Sequence, residues 1–235
     1  MFGVYICYPI FGLRYSSPPF AMRTISFIIM CYFLAACSGN PSQAATDYAL
    51  AMAHMHGSGV AKDEEKGLSY LTRAAKAGNA DAELAMGYFS LKGNGGMKQD
   101  ETKAVEYFTK SAEHGNRDAQ YNVGLAYARG QGVLKDFKKA YGWFEKAAYQ
   151  NDAGAQYNLG VMTINGEGVT ADPLTAYVWF RLAKENAYDG AEEGMESAKA
   201  ALTEDQMEEA EQAYAEISQK ITKKAQPKSE GNPPL

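Results

Sequence analysis

The chain has 235 residues, of which 46% are hydrophobic and 22% charged, and its formal net charge at pH 7 is −5. This length allows one or two domains, and the composition is ordinary for a soluble protein. The negative balance argues against a nucleic-acid partner, because such a partner requires a basic face. The three cysteines are Cys7, Cys31 and Cys37, so no disulfide or thiolate metal site is expected after Cys37.

A targeting signal is predicted over residues 22–36. Arg23 supplies a positive n-region, residues 25–34 form an apolar stretch, and two alanines follow. This order is typical of a secretory signal, and the apolar run is too short for a comfortable membrane span. Residues 1–21 place a second apolar run ahead of the signal, so we expect that they are misassigned and that translation starts at Met22. The alternative is a signal anchor retained at the N-terminus.

The end of the signal, Leu34-Ala35-Ala36-Cys37, resembles a bacterial lipobox. The resemblance implies that Cys37 is acylated and becomes the mature N-terminus, held at a membrane of the bacterial cell envelope. Serine rather than aspartate follows the cysteine, which in enterobacteria implies the outer membrane, facing the periplasm. The alternative is an ordinary signal cleaved after Ala36, with Cys37 left free. Residues 37–47 are small and polar and are predicted to be a lipidated tether.

A short glycine motif recurs four times after this tether. It reads "MHGSGVAKD" at 55–63, "LKGNGGMKQD" at 91–100, "ARGQGVLKD" at 128–136 and "INGEGVTAD" at 164–172. A phosphate-binding loop is the functional interpretation of such a motif, but that site needs one loop aimed at one anion. Four evenly spaced copies favour the turns of an internal repeat, in which glycine ends a helix.

The repeat divides residues 48–192 into four copies. Their bounds are 48–83, 84–120, 121–156 and 157–192, and their lengths are 36, 37, 36 and 36 residues. Each copy is predicted to form two helices joined by the glycine motif. The fourth position of the first helix is Ala51, Gly87, Gly124 or Gly160. A mid-helix glycine costs about 1 kcal/mol against alanine, so its repetition indicates a close approach of two helices.

The second helix of each copy is predicted to begin after an aspartate that caps its free N–H groups. The four aspartates are Asp63, Asp100, Asp136 and Asp172. Within the helix a pair of large residues precedes a small one, and this pattern favours the stacking of adjacent hairpins. The pairs are Tyr70-Leu71, Tyr107-Phe108, Trp143-Phe144 and Trp179-Phe180, and the small residues are Ala74, Ser111, Ala147 and Ala183.

These features resemble the Sel-1-like repeat family, a relative of the tetratricopeptide repeats. The matching block is "AQYNLGVMTINGEGVTADPLTAYVWFRLAKENA" at 155–187, with equivalent blocks in the other copies. The resemblance implies an all-α fold, a right-handed α/α solenoid of four 36–37-residue helical hairpins whose first helices line the concave side. The first copy departs most, because Ala51 replaces the glycine and Gly67 replaces an alanine, and we expect it to be a capping copy.

The chain beyond the repeats is predicted to close the solenoid. Residues 193–224 are expected to form a C-terminal helical cap with a Thr203–Gln206 capping box and a polar outer face. That face carries Glu208, Glu209, Glu211 and Glu216. Residues 225–235 contain three prolines and are predicted to be disordered.

Catalytic and metal-binding patterns are lacking in the repeats. The histidines are His54, His56 and His114, and none has a carboxylate at a spacing that completes a metal site. No serine or cysteine stands in a nucleophile motif. One subgroup of the resembled family carries paired cysteines in every repeat and has been linked to β-lactam binding or hydrolysis, but this chain lacks them. We therefore predict no enzyme, no metal and no cofactor.

The remaining candidate site is formed by positions 2, 5 and 9 of each copy, which lie off the apolar stripe of the first helix. These positions hold Ala49, Met52, His56, Ala85, Tyr88, Lys92, Asn122, Leu125, Arg129, Asn158, Val161 and Asn165. The amide, apolar and basic groups from Tyr88 onward suit an extended peptide, so we predict partner binding there. The alternative is a solvated face on which Lys92 and Arg129 complement helix C-termini.

The sequence thus favours a non-enzymatic, lipid-anchored scaffold for a protein or peptide partner, acting as a monomer. One alternative is an enzyme that acts on the cell wall or binds β-lactams, which would need convergent polar residues in one copy. Another is a secreted effector or adhesin that engages host proteins through the same fold.

Overall fold

The computed structural model describes residues 41–225, with side chains for residues 43–223. Regular structure in this part of the chain is entirely helical. Its ten helices are α1 (Pro41–His56), α2 (Glu64–Lys76), α3 (Ala80–Lys92), α4 (Glu101–Glu113), α5 (Arg117–Arg129), α6 (Phe137–Ala148), α7 (Ala153–Asn165), α8 (Pro173–Glu185), α9 (Ala191–Lys199) and α10 (Glu204–Ala225). Helices α1–α8 pack as four successive hairpins, which we call the first to fourth repeats, and this confirms the predicted all-α solenoid.

The glycine motif forms the turn of each hairpin, as predicted. Gly93, Gly130 and Gly166 end α3, α5 and α7 in the left-handed conformation, with φ of 70–73°. The aspartate that follows caps the next helix, since its side chain accepts a hydrogen bond from a backbone N–H two or three residues later. Its own backbone N–H donates back to the first helix, as in Asp136 to the Tyr127 carbonyl at 3.0 Å. The loop at Gly130 is therefore a helix stop coupled to a helix cap.

The predicted close approach of paired helices is also confirmed. Gly87, Gly124 and Gly160 lie against the phenyl rings of Phe108, Phe144 and Phe180. A Cβ atom at Gly124 would lie 2.6 Å from the Phe144 ring, and one at Gly160 would lie 2.7 Å from the Phe180 ring. Real Cβ atoms do not show such distances, so the buried ring occupies the space that a side chain would need.

The first repeat uses a different packing solution at the same place. Leu71 replaces the phenylalanine and is fully buried, and Ala51 fits where the other repeats require glycine. The first repeat has its close-approach glycine on the second helix instead, at Gly67. A Cβ atom at Gly67 would lie 2.7 Å from the Met55 side chain, so only glycine leaves room for that side chain. The two departures found in the sequence, Ala51 and Gly67, thus belong with Leu71 to one compensated exchange of volume.

The third and fourth repeats contact the preceding repeat through the second glycine of their turns. A Cβ at Gly132 would come closer than 3.0 Å to the carbonyl group of Glu101 in the preceding repeat. A Cβ at Gly168 would lie 2.5 Å from the Phe137 carbonyl oxygen in the same way. The turn therefore touches the first residues of the preceding second helix, backbone against backbone.

The structure differs from the predicted tether at residues 41–47, because α1 begins at Pro41. Ala44 and Asp47 are buried there, and Asp47 accepts hydrogen bonds from the guanidinium of Arg73 on α2. This pairing joins residues that are 26 positions apart, and it stabilises the extra helical turns. The local composition of residues 41–47 does not predict it. The predictions for residues 1–40, which include the signal and Cys37, lie outside the described residues, as does the tail from residue 226.

The predicted C-terminal cap consists of two helices, α9 and α10. Thr203 and Gln206 form the predicted capping box, with Gln206 accepting from the Thr203 backbone N–H at 3.0 Å. The α10 helix packs on α8, where Glu211 forms an ion pair with Arg181 and accepts a hydrogen bond from Tyr177 at 3.1 Å. None of the helices described between residues 41 and 225 is both long enough and apolar enough to cross a membrane.

Candidate interaction surface

The twelve predicted surface positions all remain at least partly exposed on the first helices of the four repeats. Each helix presents an apolar residue and, four residues later, a polar one, because residues at this spacing share a helix face. The pairs are Met52 and His56, Tyr88 and Lys92, Leu125 and Arg129, and Val161 and Asn165. We call these eight residues, with Ala49, Ala85, Asn122 and Asn158, the first-helix face.

A cavity of about 480 Å³ opens on this face between the first and second repeats. Met52, Met55, Ala85 and Phe89 form much of its wall, and Tyr88, 39% exposed, stands at its edge. His56, Glu64, Asn94 and Gly95 complete the lining. We call this space the Met52 cavity; its wall is mainly apolar, with a few polar groups.

A hydrogen bond connects the second and third repeats within this face. The amide Nδ2 of Asn122 donates to the hydroxyl of Tyr88 at 2.8 Å and to the carbonyl of Asp118 at 2.9 Å. Asn122 also lines a recess of about 130 Å³ together with Leu125 and Arg129. The structure therefore brings these four predicted residues, Tyr88, Asn122, Leu125 and Arg129, into one continuous surface.

Two cations on this surface have no carboxylate within ion-pair distance among the described side chains. They are Lys92 and Arg129, both exposed. Some other basic residues of the fold form ion pairs, as in Lys62 with Glu64 at 2.8 Å and Lys184 with Glu192 at 2.9 Å, whereas Lys66 and Lys138 on second helices form none among the described side chains. Both lie in the last turn of their helices, where a positive charge complements the helix C-terminus, and they remain available to solvent or to a ligand.

The fourth repeat continues the face with the amide of Asn158. Asn158 donates to the Gly154 carbonyl at 2.7 Å and lies near the hydroxyl of Tyr121. Burial is the main reason that the pKa of Tyr121 is raised, and the Asn158 contact opposes it. Val161 is half-buried and Asn165 is exposed, so this end of the face is polar and uncharged.

A second recurring site escaped the sequence reasoning. One residue before each copy stands a buried polar side chain: Asp47, Glu83, Gln120 and Gln156. Each contacts a polar side chain of the same repeat's second helix or its end: Arg73, His114, Gln150 and Asn186, respectively. The sequence contains this pattern as a polar residue at a fixed position before each copy. Only the partners, which are distant in sequence, show that these residues join the two helices of each repeat.

Two of the three histidines contact other side chains of the repeats. His114 directly follows α4, and its Nδ1 lies 2.7 Å from the Glu83 carboxylate. His54 is buried and stacks on Tyr70 with a centroid separation of 5.7 Å. Across residues 41–225, no three His, Cys, Asp or Glu side chains are grouped so that they could hold a metal ion.

Comparison with known proteins identifies the repeat. The family model described as Sel1 repeat matches residues 42–79, 80–116, 117–152 and 153–188. These bounds begin with the first helix of each hairpin, whereas the copies defined from the sequence begin four to six residues later, at Tyr48, Leu84, Tyr121 and Tyr157. The two divisions thus describe the same repeat in different phase. No curated protein matches the chain.

Two solved structures share the fold. One is a protective antigen present in uropathogenic Escherichia coli strains and displaying an SLR fold, with 31% identity and a TM-score of 0.65 over 87% of this chain. The other is a Sel1 repeat protein from Oxalobacter formigenes, with 34% identity and a TM-score of 0.62 over 69% of this chain. The matches cover 44% and 46% of those chains, so this chain spans less than half the length of either.

Proposed function

The chain belongs to the Sel1 repeat family, and on that premise we propose that it is a non-enzymatic scaffold that binds a protein or peptide on its first-helix face. Sel1 repeat proteins are generally protein-interaction scaffolds. For this chain the choice of face is supported by one observation. Positions that build the hairpins are buried and keep their residue class between repeats, whereas the twelve face positions are at least partly exposed and their residues change, most of all at the polar position that ends each helix.

This contrast supports recognition because a repeat protein can change exposed positions without disturbing its stacked core. Tyr88, Asn122, Leu125 and Arg129 provide an aromatic edge, an amide, an apolar side chain and a guanidinium within one surface. Such a mixture suits a peptide backbone with interspersed apolar and charged side chains.

The proposal includes attachment to the cell envelope through lipid on Cys37, with the solenoid facing the periplasm from the outer membrane. Its support is the Leu34-Ala35-Ala36-Cys37 sequence and the bacterial origin of both related structures. Mass spectrometry of membrane-extracted protein should show a diacylglyceryl-type addition on an N-terminal Cys37. An unmodified mature N-terminus, or one that retains residues 1–21, would contradict the anchor.

A second candidate is a secreted or surface-exposed protein that engages host proteins. It is favoured by the relative described as a protective antigen, which is 31% identical over the shared region. Both candidates use the same face. They differ in accessibility, so labelling of intact cells with a membrane-impermeant reagent separates them: a periplasm-facing protein is protected and a surface protein is not.

The binding face is tested by the combined variant Asn122→Ala, Arg129→Glu and Asn158→Ala. The matched control is Ser69→Ala, Lys138→Glu and Gln212→Ala, which changes three exposed residues with the same change of charge. Proteins cross-linked to the chain in envelopes should be lost from the first variant and retained by the control. Because a hydrogen bond to a charged group contributes about 1.5–3 kcal/mol, affinity should fall well over tenfold.

Both variants should stay helical and melt near the wild-type temperature, since the altered side chains lie outside the buried core. Partner capture at the wild-type level by the folded first variant would place the binding site elsewhere.

A further inference from the structure

The first-helix face has a more specific chemistry than that of a general peptide groove. We infer that its partner is an acidic segment carrying a large apolar side chain, which enters the Met52 cavity while neighbouring carboxylates meet Lys92 and Arg129. This inference rests on the proposed function, since it names the partner of that same face.

The apolar part of the inference comes from the cavity. Its volume of about 480 Å³ falls in the range of about 300–1,000 Å³ that is typical of ligand pockets. Two of its lining residues, Met52 and Met55, have flexible thioether side chains that adapt to differently shaped apolar groups. Tyr88 at the edge is one of three large hydrophobic residues that the described surface leaves exposed.

The acidic part comes from the row of polar residues one helical turn beyond the apolar row. His56, Lys92 and Arg129 follow Met52, Tyr88 and Leu125, so the first three repeats present apolar and basic groups in parallel. The fourth repeat ends the row with the neutral Asn165. A ligand that lies along these repeats therefore meets two rows, one apolar and one basic.

The two carboxylates that line these cavities, Glu64 and Glu101, form no ion pair with Lys92 or Arg129. Glu64 lines the Met52 cavity but pairs with Lys62 at 2.8 Å, which lies outside the face. Glu101 lines the smaller recess with Arg129, yet no ion pair joins these two side chains. Charge complementarity thus favours an acidic occupant over a basic one.

The two features are physically connected. Tyr88 borders the Met52 cavity and accepts a hydrogen bond from Asn122, which lines the recess that Arg129 shares. A short segment can therefore place its apolar side chain in the cavity and a carboxylate beside Lys92 or Arg129 without leaving the surface.

The test is a selection of random twelve-residue peptides displayed on phage against the full 235-residue chain. Selected peptides should be enriched in Asp or Glu together with Trp, Phe, Leu or Met. A synthetic peptide from the selection should bind at least tenfold more weakly when its apolar anchor is replaced by alanine. Its affinity should also fall as ionic strength is raised, because exposed charges are screened.

Two variants separate the rows. Lys92→Glu with Arg129→Glu should weaken peptide binding at least tenfold, whereas Lys66→Glu with Lys138→Glu, an equal change of charge on second helices, should not. Ala85→Trp, which fills the cavity, should weaken binding while leaving circular dichroism unchanged. If Ala85→Trp does not fold, methyl NMR of the wild-type protein replaces it: the peptide should shift Met52 and Met55 and leave Met207 in α10 unchanged.

The outcomes distinguish this inference from the function it rests on. Neutral or basic peptides that are lost from the Asn122→Ala, Arg129→Glu and Asn158→Ala variant would overturn the acidic partner and keep the face. Peptides unaffected by any change on the face would overturn both. A selection without enrichment would overturn the inference. Concentration-dependent self-association that the Lys92→Glu and Arg129→Glu changes abolish would assign the face to a second copy instead.

Discussion

The first and third repeats have the same two helices and the same glycine turn, yet they are held differently. In the third repeat the Phe144 ring packs against Gly124, and Gly132 contacts the backbone of the preceding repeat. In the first repeat Ala51 faces the smaller Leu71, and a Cβ at Gly59 would meet nothing within 4 Å. No repeat precedes the first one among the described residues, so a residue that is equivalent in sequence meets a different structural demand.

The two repeats also differ in the charge of their buried polar position. The buried polar position of the first repeat is the carboxylate Asp47, paired with Arg73, whereas in the third it is the neutral Gln120, paired with Gln150. One architectural position is thus filled by an ion pair at one end of the solenoid and by amides in its middle. The stability of the protein should therefore respond to acid through the Asp47–Arg73 pair, whereas the Gln120–Gln150 pair has no group that titrates in acid.

The largest expected effect is the difference between Gly132→Val and Gly59→Val. Both residues have positive φ, so a β-branched side chain at either costs on the order of 1–3 kcal/mol. Only Gly132→Val also collides with the Glu101 carbonyl. Urea unfolding should therefore show the greater loss for Gly132→Val; equal losses would mean that stacking does not need this glycine.

A double-mutant cycle at Gly124 and Phe144 tests whether the third repeat tolerates the packing of the first. Gly124→Ala alone should destabilise, since overpacking typically costs about 1–3 kcal/mol and the gain in helix propensity returns about 1 kcal/mol. In a Phe144→Leu background, which copies the Ala51–Leu71 arrangement, the same change should cost less or stabilise. Additive free energies of unfolding would show that the ring and the glycine are not coupled.

The acid response is expected from Asp47. The Arg73 hydrogen bond holds the pKa of Asp47 below its ordinary value of 3.8. A depressed folded-state pKa stabilises the fold above the unfolded-state value, and this contribution is lost as the pH falls through the folded-state pKa. Melting temperatures measured between pH 7 and pH 2 should fall less steeply for Asp47→Asn than for the wild type below about pH 4. Parallel curves would exclude the pair as the source of acid sensitivity.

The smallest effect is expected at the cap of α7. Burial is the main reason that the pKa of Asp152 is raised, although Arg117 at 3.6 Å opposes the shift. An acid with a raised pKa destabilises the fold where it is charged, and this cost disappears below its unfolded-state pKa. Asp152→Asn, which copies the caps Asn79 and Asn116, should change stability by less than about 0.5 kcal/mol at pH 7, in the stabilising direction.

At low pH that gain should vanish, since Asp152 is then protonated in both states. Thermal melting at pH 7 and pH 3 checks both halves of the prediction. A clear destabilisation by Asp152→Asn at pH 7 would show that the Arg117 contact outweighs the cost of burial.

Much of the fold was predictable because its signals are local. Gly130 stops α5 and Asp136 caps α6 through contacts within a few residues, and these contacts recur in every hairpin. The twelve face positions were also predictable, because helical spacing decides which residues point away from the apolar stripe. The Met52 cavity was not, since it lies between two repeats, and no periodicity in one helix reports the gap between two.

The extra turns of α1 are a second feature that the local sequence pattern did not predict. Residues 41–47 are small and polar, which is typical of a tether, yet Asp47 reaches Arg73 and becomes buried. Local propensity is a weak guide where a contact distant in sequence supplies the stabilisation.

By itself, then, the sequence determined the repeat, its turns, its caps and the exposed rows of its first helices, because each depends on residues close together in the chain. Only the tertiary structure decided that Gly132 touches a neighbouring backbone while Gly59 does not, that the recurring buried polar residues find partners, and that Tyr88 and Asn122 join two cavities into one surface. The reason is that stacking places residues about one repeat apart in contact, and which groups then meet depends on the volume and charge of both.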